Sequence, residues 1–104
     1  MPIITVFRSR LRAGVQAHYE SLAEEMSALA HAMPGFIEEK TFTADDGERV
    51  TIVLFADRAS NEVWRDHERH RQAQVIGKSE LYSEYTVYSA EVDYHRAFSS
   101  DVVR

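Results

Sequence analysis

The chain has 104 residues, no cysteine and a formal net charge of -5. That length holds one core and one domain. The missing thiols exclude a disulfide framework, a thiolate nucleophile and a cysteine-ligated metal, and the acidic balance argues against a nucleic-acid partner, because phosphate demands a basic surface.

Along the chain, Ile3 to Leu11 is rich in β-branched and apolar residues and predicts a first strand, broken at Arg12-Ala13-Gly14. Val15, Tyr19, Leu22, Met26, Leu29 and Met33 recur at steps of four and three, which places them on one stripe of a helix. Pro34-Gly35 ends that helix. Phe36 to Thr43 and Arg49 to Phe55 read as two strands joined through Asp45-Asp46-Gly47 in a hairpin. A second helical region runs from about Ser60 to Ile76, in one piece or in two, with Gly77 as its closing residue. Leu81 to Val92 gives a long last strand, on which simple alternation puts Tyr82 and Tyr88 on one face and Tyr85 on the other. The order βαββαβ is the split pattern of a ferredoxin-like α+β fold with an antiparallel sheet. No repeat or linker interrupts it, so one domain is expected over residues 1–96, followed by a loose tail over 97–104.

No apolar run is long enough to span a bilayer, and Met1-Pro2-Ile3-Ile4-Thr5-Val6 lacks a secretory pattern. A soluble cytoplasmic protein without a membrane partner is the expectation. Both faces of the sheet are apolar: Val50, Ile52 and Leu54 lie opposite Thr51, Val53 and Phe55, and Ile4 and Val6 lie opposite Ile3, Phe7 and Leu11. Helices cover only one face of a two-layer domain, so something else must cover the other. A second copy of the sheet, giving a homodimer, is the economical cover, and Val53 is the expected outward-facing member of its strand. A ligand cavity against that face of a monomer is the alternative.

Chemistry concentrates in Trp64-Arg65-Asp66-His67-Glu68-Arg69-His70-Arg71-Gln72. Helical spacing gathers Val63, His67, His70 and Gln74 on one stripe, with Trp64 and Arg71 beside it. Between Trp64 and Ala73 the helix has nothing aliphatic to bury. Either this piece is a solvated surface turn with Trp64 alone in the core, or its imidazoles line a cavity. Imidazole suits proton transfer near neutral pH, and indole offers an aromatic ligand a flat wall. His67 and His70 are three apart and could share a metal, but no third ligand declares itself, so no metal is expected. There is no Gly-rich phosphate loop and no Gly-x-Ser-x-Gly elbow. Arg8 and Arg10 point the same way on the first strand, as rim salt bridges or an anion site.

Phe7-Arg8-Ser9-Arg10-Leu11, the Met33-Pro34-Gly35-Phe36 junction, Asp46-Gly47-Glu48-Arg49-Val50, Trp64-x-x-His67, Ala73-Gln74 and the Tyr-rich last strand together resemble the antibiotic biosynthesis monooxygenase family of dimeric α+β barrels. The likeness runs from Ile3 to about Glu91. It implies a barrel closed by two sheets, with a pocket between each sheet and its helices. Some members oxidise aromatic polyketides with molecular oxygen and no cofactor: the substrate's own phenolate supplies the electron, and the protein supplies desolvation, a proton acceptor and orientation. Others bind and degrade haem through an Asn on the first strand, a Trp on the second helix and a proximal His about three turns beyond it. Aligned on Leu11 and Gly14, this chain has Phe7 at the Asn position, Trp64 at the Trp position and Gln74 at the proximal His position.

Three readings follow from the resemblance. The first is a cofactor-independent monooxygenase of a small aromatic, quinol-like substrate, with Trp64 as wall, His67 or His70 as base, and Arg8, Phe7, Tyr82 and Gln74 as substrate contacts. The second is a haem protein. The third is a ligand-binding or structural dimer without chemistry.

Overall fold

The structure, a computed structural model, describes residues 1–100. β1 (Ile3–Leu11), β2 (Phe36–Thr43), β3 (Arg49–Phe55) and β4 (Tyr82–Glu91) form one antiparallel sheet in the order β2-β3-β1-β4. α1 (Gln16–His31), α2 (Arg58–Asp66) and α3 (Glu68–Ile76) supply the second layer, completing an α+β fold of the ferredoxin-like kind.

The register of β1 against β3 pairs Ile3 with Phe55 and Thr5 with Val53, so these residues share the helix-covered face. Phe55, Ala30 and Trp64 are buried there, and Met26, Leu29 and Met33 of the α1 stripe pack against them with Phe36 and Val53. Val53 therefore points into the core, not outward as expected. The uncovered face carries Val50, Ile52 and Leu54 of β3 with Ile4 and Val6 of β1.

The α1–β2 junction depends on Gly35, whose φ of +85° is unfavourable for a side chain and whose added Cβ would lie 2.5 Å from Ser60. α2 starts earlier than Ser60, because the Asp57 side chain accepts from the Ser60 N–H at 2.8 Å and caps the first turn. The helical region is broken in two at His67, which has extended backbone (φ -57°, ψ 133°) and whose Nδ1 accepts from the Arg69 N–H at 3.1 Å to start α3. Gly77 caps α3 after Ile76, as expected, but does not end the helical path. It stays right-handed helical and opens a five-residue π-helical turn, Gly77–Leu81, that delivers the chain to β4.

β4 has a register irregularity against β1: Arg10 pairs with Glu84, but Leu11 pairs with Tyr82. One residue is extra, which reverses the alternation at that point. Tyr82 and Tyr85 thus share the helix side, and Tyr88 lies on the uncovered side, a correction to simple alternation. Residues 92–100 contain no helix or strand. The rest of the expected tail, 101–104, lies outside the described residues. Among the described residues, no helix is long and apolar enough to cross a membrane.

Candidate functional site

Two aromatic clusters occupy the helix side of the sheet. The first is built around Trp64, which α2 places 8% exposed against Phe55, with ring centroids 6.5 Å apart and planes at 21°. The break at His67 turns α3 back so that His70 lies flat on the indole, 4.0 Å between centroids at 11°. His70 Nδ1 is 3.1 Å from the Trp64 carbonyl oxygen. A carbonyl only accepts, so Nδ1 carries the proton and Nε2 holds the lone pair of the neutral ring. Burial favours that neutral form and lowers the His70 pKa, against the raising effect of the Trp64 and Arg65 carbonyls. The segment without aliphatic residues is mostly exposed around the buried Trp64, and one imidazole, His70, covers the indole.

His67 is in a different position. Its Nδ1 is committed to the Arg69 N–H, and its backbone forms the corner between the helices. Gln74 is exposed on α3, with its amide donating to the Arg65 carbonyl at 3.5 Å. Arg69 ties α3 to α1 through the Glu25 carboxylate, whose pKa falls as a result of that bond.

The second cluster lies toward the other end of β1. Phe7 meets Tyr82 edge-on at 5.3 Å and Tyr85 at 5.5 Å. Tyr82 also meets Tyr19 of α1 at 6.2 Å. Burial pushes the Tyr82 phenol up to about 12, with Tyr19 adding to the shift and Arg49 opposing it. Phe7 is four residues along β1 from Ile3, the partner of Phe55, so the clusters are separated by roughly 13 Å of strand. The structure thus joins Trp64 to His70 and Phe7 to Tyr82, without a ring contact between the two pairs among the described residues.

Arg8 belongs to neither. It lies on the uncovered face and pairs with Glu48, Nη2 to Oε1 at 3.0 Å, while Arg10 pairs with Asp46 and Glu84 on the same side. Arg49, which the sequence marks as the start of a strand and as part of the Asp46-Gly47-Glu48-Arg49-Val50 segment but not as a site residue, sits on the helix face above Tyr19. The signal was available: Arg49 alternates in phase with Thr51, Val53 and Phe55.

The haem pattern does not fit these residues. Phe7 has no ligating atom and is packed among tyrosines, and Gln74 offers no imidazole. Among the described residues there is also no group of three or more metal-ligating side chains.

Comparison with known proteins agrees with this architecture. The sequence model described as antibiotic biosynthesis monooxygenase matches residues 2–75. The uncharacterized protein YqjZ of Bacillus subtilis (strain 168) is 30% identical over 100 residues, covering 96% of this chain and 88% of that protein. Among solved structures, Rv0793 from Mycobacterium tuberculosis superposes with a TM-score of 0.80 at 18% identity, over 92% of this chain and 100% of that one. A variant of SnoaB, a cofactor-independent oxygenase from Streptomyces nogalater, superposes with a TM-score of 0.78 at 16% identity, over 90% and 95% respectively. A family match over residues 2–75, on a chain with this helix-backed sheet, leads to one assignment: the chain belongs to the antibiotic biosynthesis monooxygenase family.

Proposed function

We propose that the protein is a cofactor-independent monooxygenase of a small phenolic or quinol-like aromatic molecule, with His70 as the general base. The observation that carries this reading is the tautomer and burial of His70, a neutral imidazole with its lone pair on Nε2 beside a buried indole. Trp64 acts through His70: it desolvates and orients the ring. His67 becomes the lesser candidate, because its Nδ1 already holds α3 in place. Removal of the substrate's phenolic proton produces an anion rich enough in electrons to reduce molecular oxygen. An activated ring CH2 is then converted to C=O, with one oxygen atom retained and the other released as water.

The protein works as a homodimer in this reading, with the face carrying Ile4, Val6, Ile52, Leu54 and the 56% exposed Tyr88 closed against its copy. Oxygen uptake with a panel of hydroxylated anthrones and naphthols tests the activity. A His70-dependent uptake with an accepted substrate is the expected result, and uptake unchanged in His70→Ala would remove the base assignment.

A further inference from the structure

Two arginines line the cavity of about 340 Å3 at the Arg10–Leu11 end of β1, and their situations are opposite. Arg10 is engaged at all three nitrogens: Nε is 3.1 Å from Glu84 Oε1, Nη1 is 3.0 Å from the Asp46 carbonyl, and Nη2 is 2.7 Å from Asp46 Oδ2. Arg49 has no carboxylate partner among the described residues. Its Nη2 donates to Gln16 Oε1 at 3.0 Å, and its guanidinium carbon stands 4.9 Å from the centre of the Tyr19 ring. The side chain is thus a half-buried cation, held by a neutral amide and an aromatic face, with most of its five donors uncommitted.

Burial of a charge is costly unless a counter-charge accompanies it. Here no carboxylate is paired directly with Arg49 among the described residues: Asp46, which lines the same cavity, is engaged by Arg10, and Glu20 reaches Arg49 only through Gln16, whose Nε2 donates to Glu20 Oε1 at 2.6 Å. Apolar surface adjoins the cation: Leu11 lines the cavity, and the Tyr19 ring continues into Tyr82. The volume is at the low end of small-molecule sites, roughly 300–1,000 Å3, and the cavity is open to solvent with a mainly polar lining, so the charged group of a ligand would carry most of its recognition. A planar guanidinium fork matches a planar carboxylate in two parallel hydrogen bonds.

We infer that this cavity binds an aromatic carboxylate, with Arg49 as the anion-recognising residue and Gln16 holding its guanidinium in place. The site lies toward the opposite end of the sheet from His70 and does not depend on the oxygenase reading.

Calorimetry on the full chain with 2-naphthoate and the neutral 2-naphthamide tests the inference. The acid should bind about tenfold tighter at low salt, and added salt should erode that preference. Arg49→Gln should abolish the preference, and Arg49→Lys should keep part of it. Equal affinity for the two probes, no detectable binding of either, or a preference that survives in Arg49→Gln overturns the inference. If Arg49→Gln does not fold, amide shifts induced by 2-naphthoate in the unmodified protein decide the matter: shifts centred on Gln16, Arg49 and Ser83 support the site, and shifts centred elsewhere overturn it. None of these measurements involves oxygen, so this site and the role of His70 stand or fall separately.

Discussion

Tyr82 fills the space in which any other residue at position 77 would place its Cβ: an added carbon on Gly77 would sit 2.6 Å from Tyr82 Cε2. Gly77 has ordinary helical backbone, so the ring, not the dihedral angle, requires glycine here. Gly77→Ala gains about 1 kcal/mol of helix propensity but overpacks the site by about 1–3 kcal/mol. The expected outcome in urea unfolding is a net loss of about 1 kcal/mol, relieved when Tyr82→Leu is added.

The same packing sets the titration of Tyr82. Its folded pKa is raised to about 12 from 10, so the unfolded chain loses this proton first as pH rises. Tyr82 therefore contributes stability that is present below pH 10 and lost between 10 and about 12. Ultraviolet difference titration of the folded protein should show one tyrosine ionising late, absent in Tyr82→Phe. A late phase retained in that variant would assign it to another ring.

His70 predicts the opposite limb of the pH profile. Its folded pKa is depressed below the usual 6.5, so the unfolded state binds the proton more readily. Stability should be full above pH 6.5 and decline as pH falls from there toward the lowered native value. His70→Phe keeps a ring on Trp64 without the titration. Melting temperatures across pH 8 to 5 should fall less steeply in that variant than in the parent.

For catalysis, His70→Ala should lower turnover of an accepted phenolic substrate by about a hundred- to ten-thousand-fold. Alkaline pH should restore much of the loss, because the substrate then ionises unaided. His67→Ala should act instead on stability, through loss of the α3 cap, at a cost of about 1 kcal/mol. A pH–rate profile for the two variants separates a missing base from a loosened helix.

The two sides of β3 give a paired test of assembly. Ile52→Glu puts a charge on the uncovered face and should yield folded monomers by sedimentation equilibrium. Val53→Glu buries its charge beneath the helices and should prevent folding, at several kcal/mol. A folded dimer of Ile52→Glu would mean that this face is not the contact.

The strands were legible because their signals are local. β2 and β3 run from Phe36 to Thr43 and from Arg49 to Phe55, the segments marked by their apolar and β-branched residues and the intervening turn. The α1 stripe likewise announces its buried side through Met26, Leu29 and Met33. What the pattern did not carry was set by contacts between distant residues. Which face of β3 the helices cover is decided by tertiary packing, since both faces are apolar, and Val53 was accordingly placed on the wrong side. The extra residue opposite Arg10 and Leu11 has no local signature, so Tyr82 and Tyr85 were assigned opposite faces. Gly77 looked like a helix stop because glycine usually is one, whereas a ring arriving from five residues later is what it accommodates. For the site, the sequence singled out Trp64 and both histidines. The bend at His67 decides which imidazole reaches the indole.

Among the described residues, β1 is the one hydrogen-bonded neighbour of β4, so ten residues of backbone present an unpaired ladder along the sheet's margin. Val87 and Tyr88 on that strand are about half exposed, and proline, the usual blunting residue of such margins, does not occur in it. Protection falls to Glu84 and Glu91, each bound to an arginine of the same molecule, Arg10 and Arg58. Acid that protonates these two carboxylates removes the only formal negative charges on β4 besides the chain's general repulsion. An edge strand without such charges is a template onto which another extended segment can add, so ordered aggregation in acid, measured by a cross-β signal, is expected to start from β4 and to be slowed by Val87→Lys.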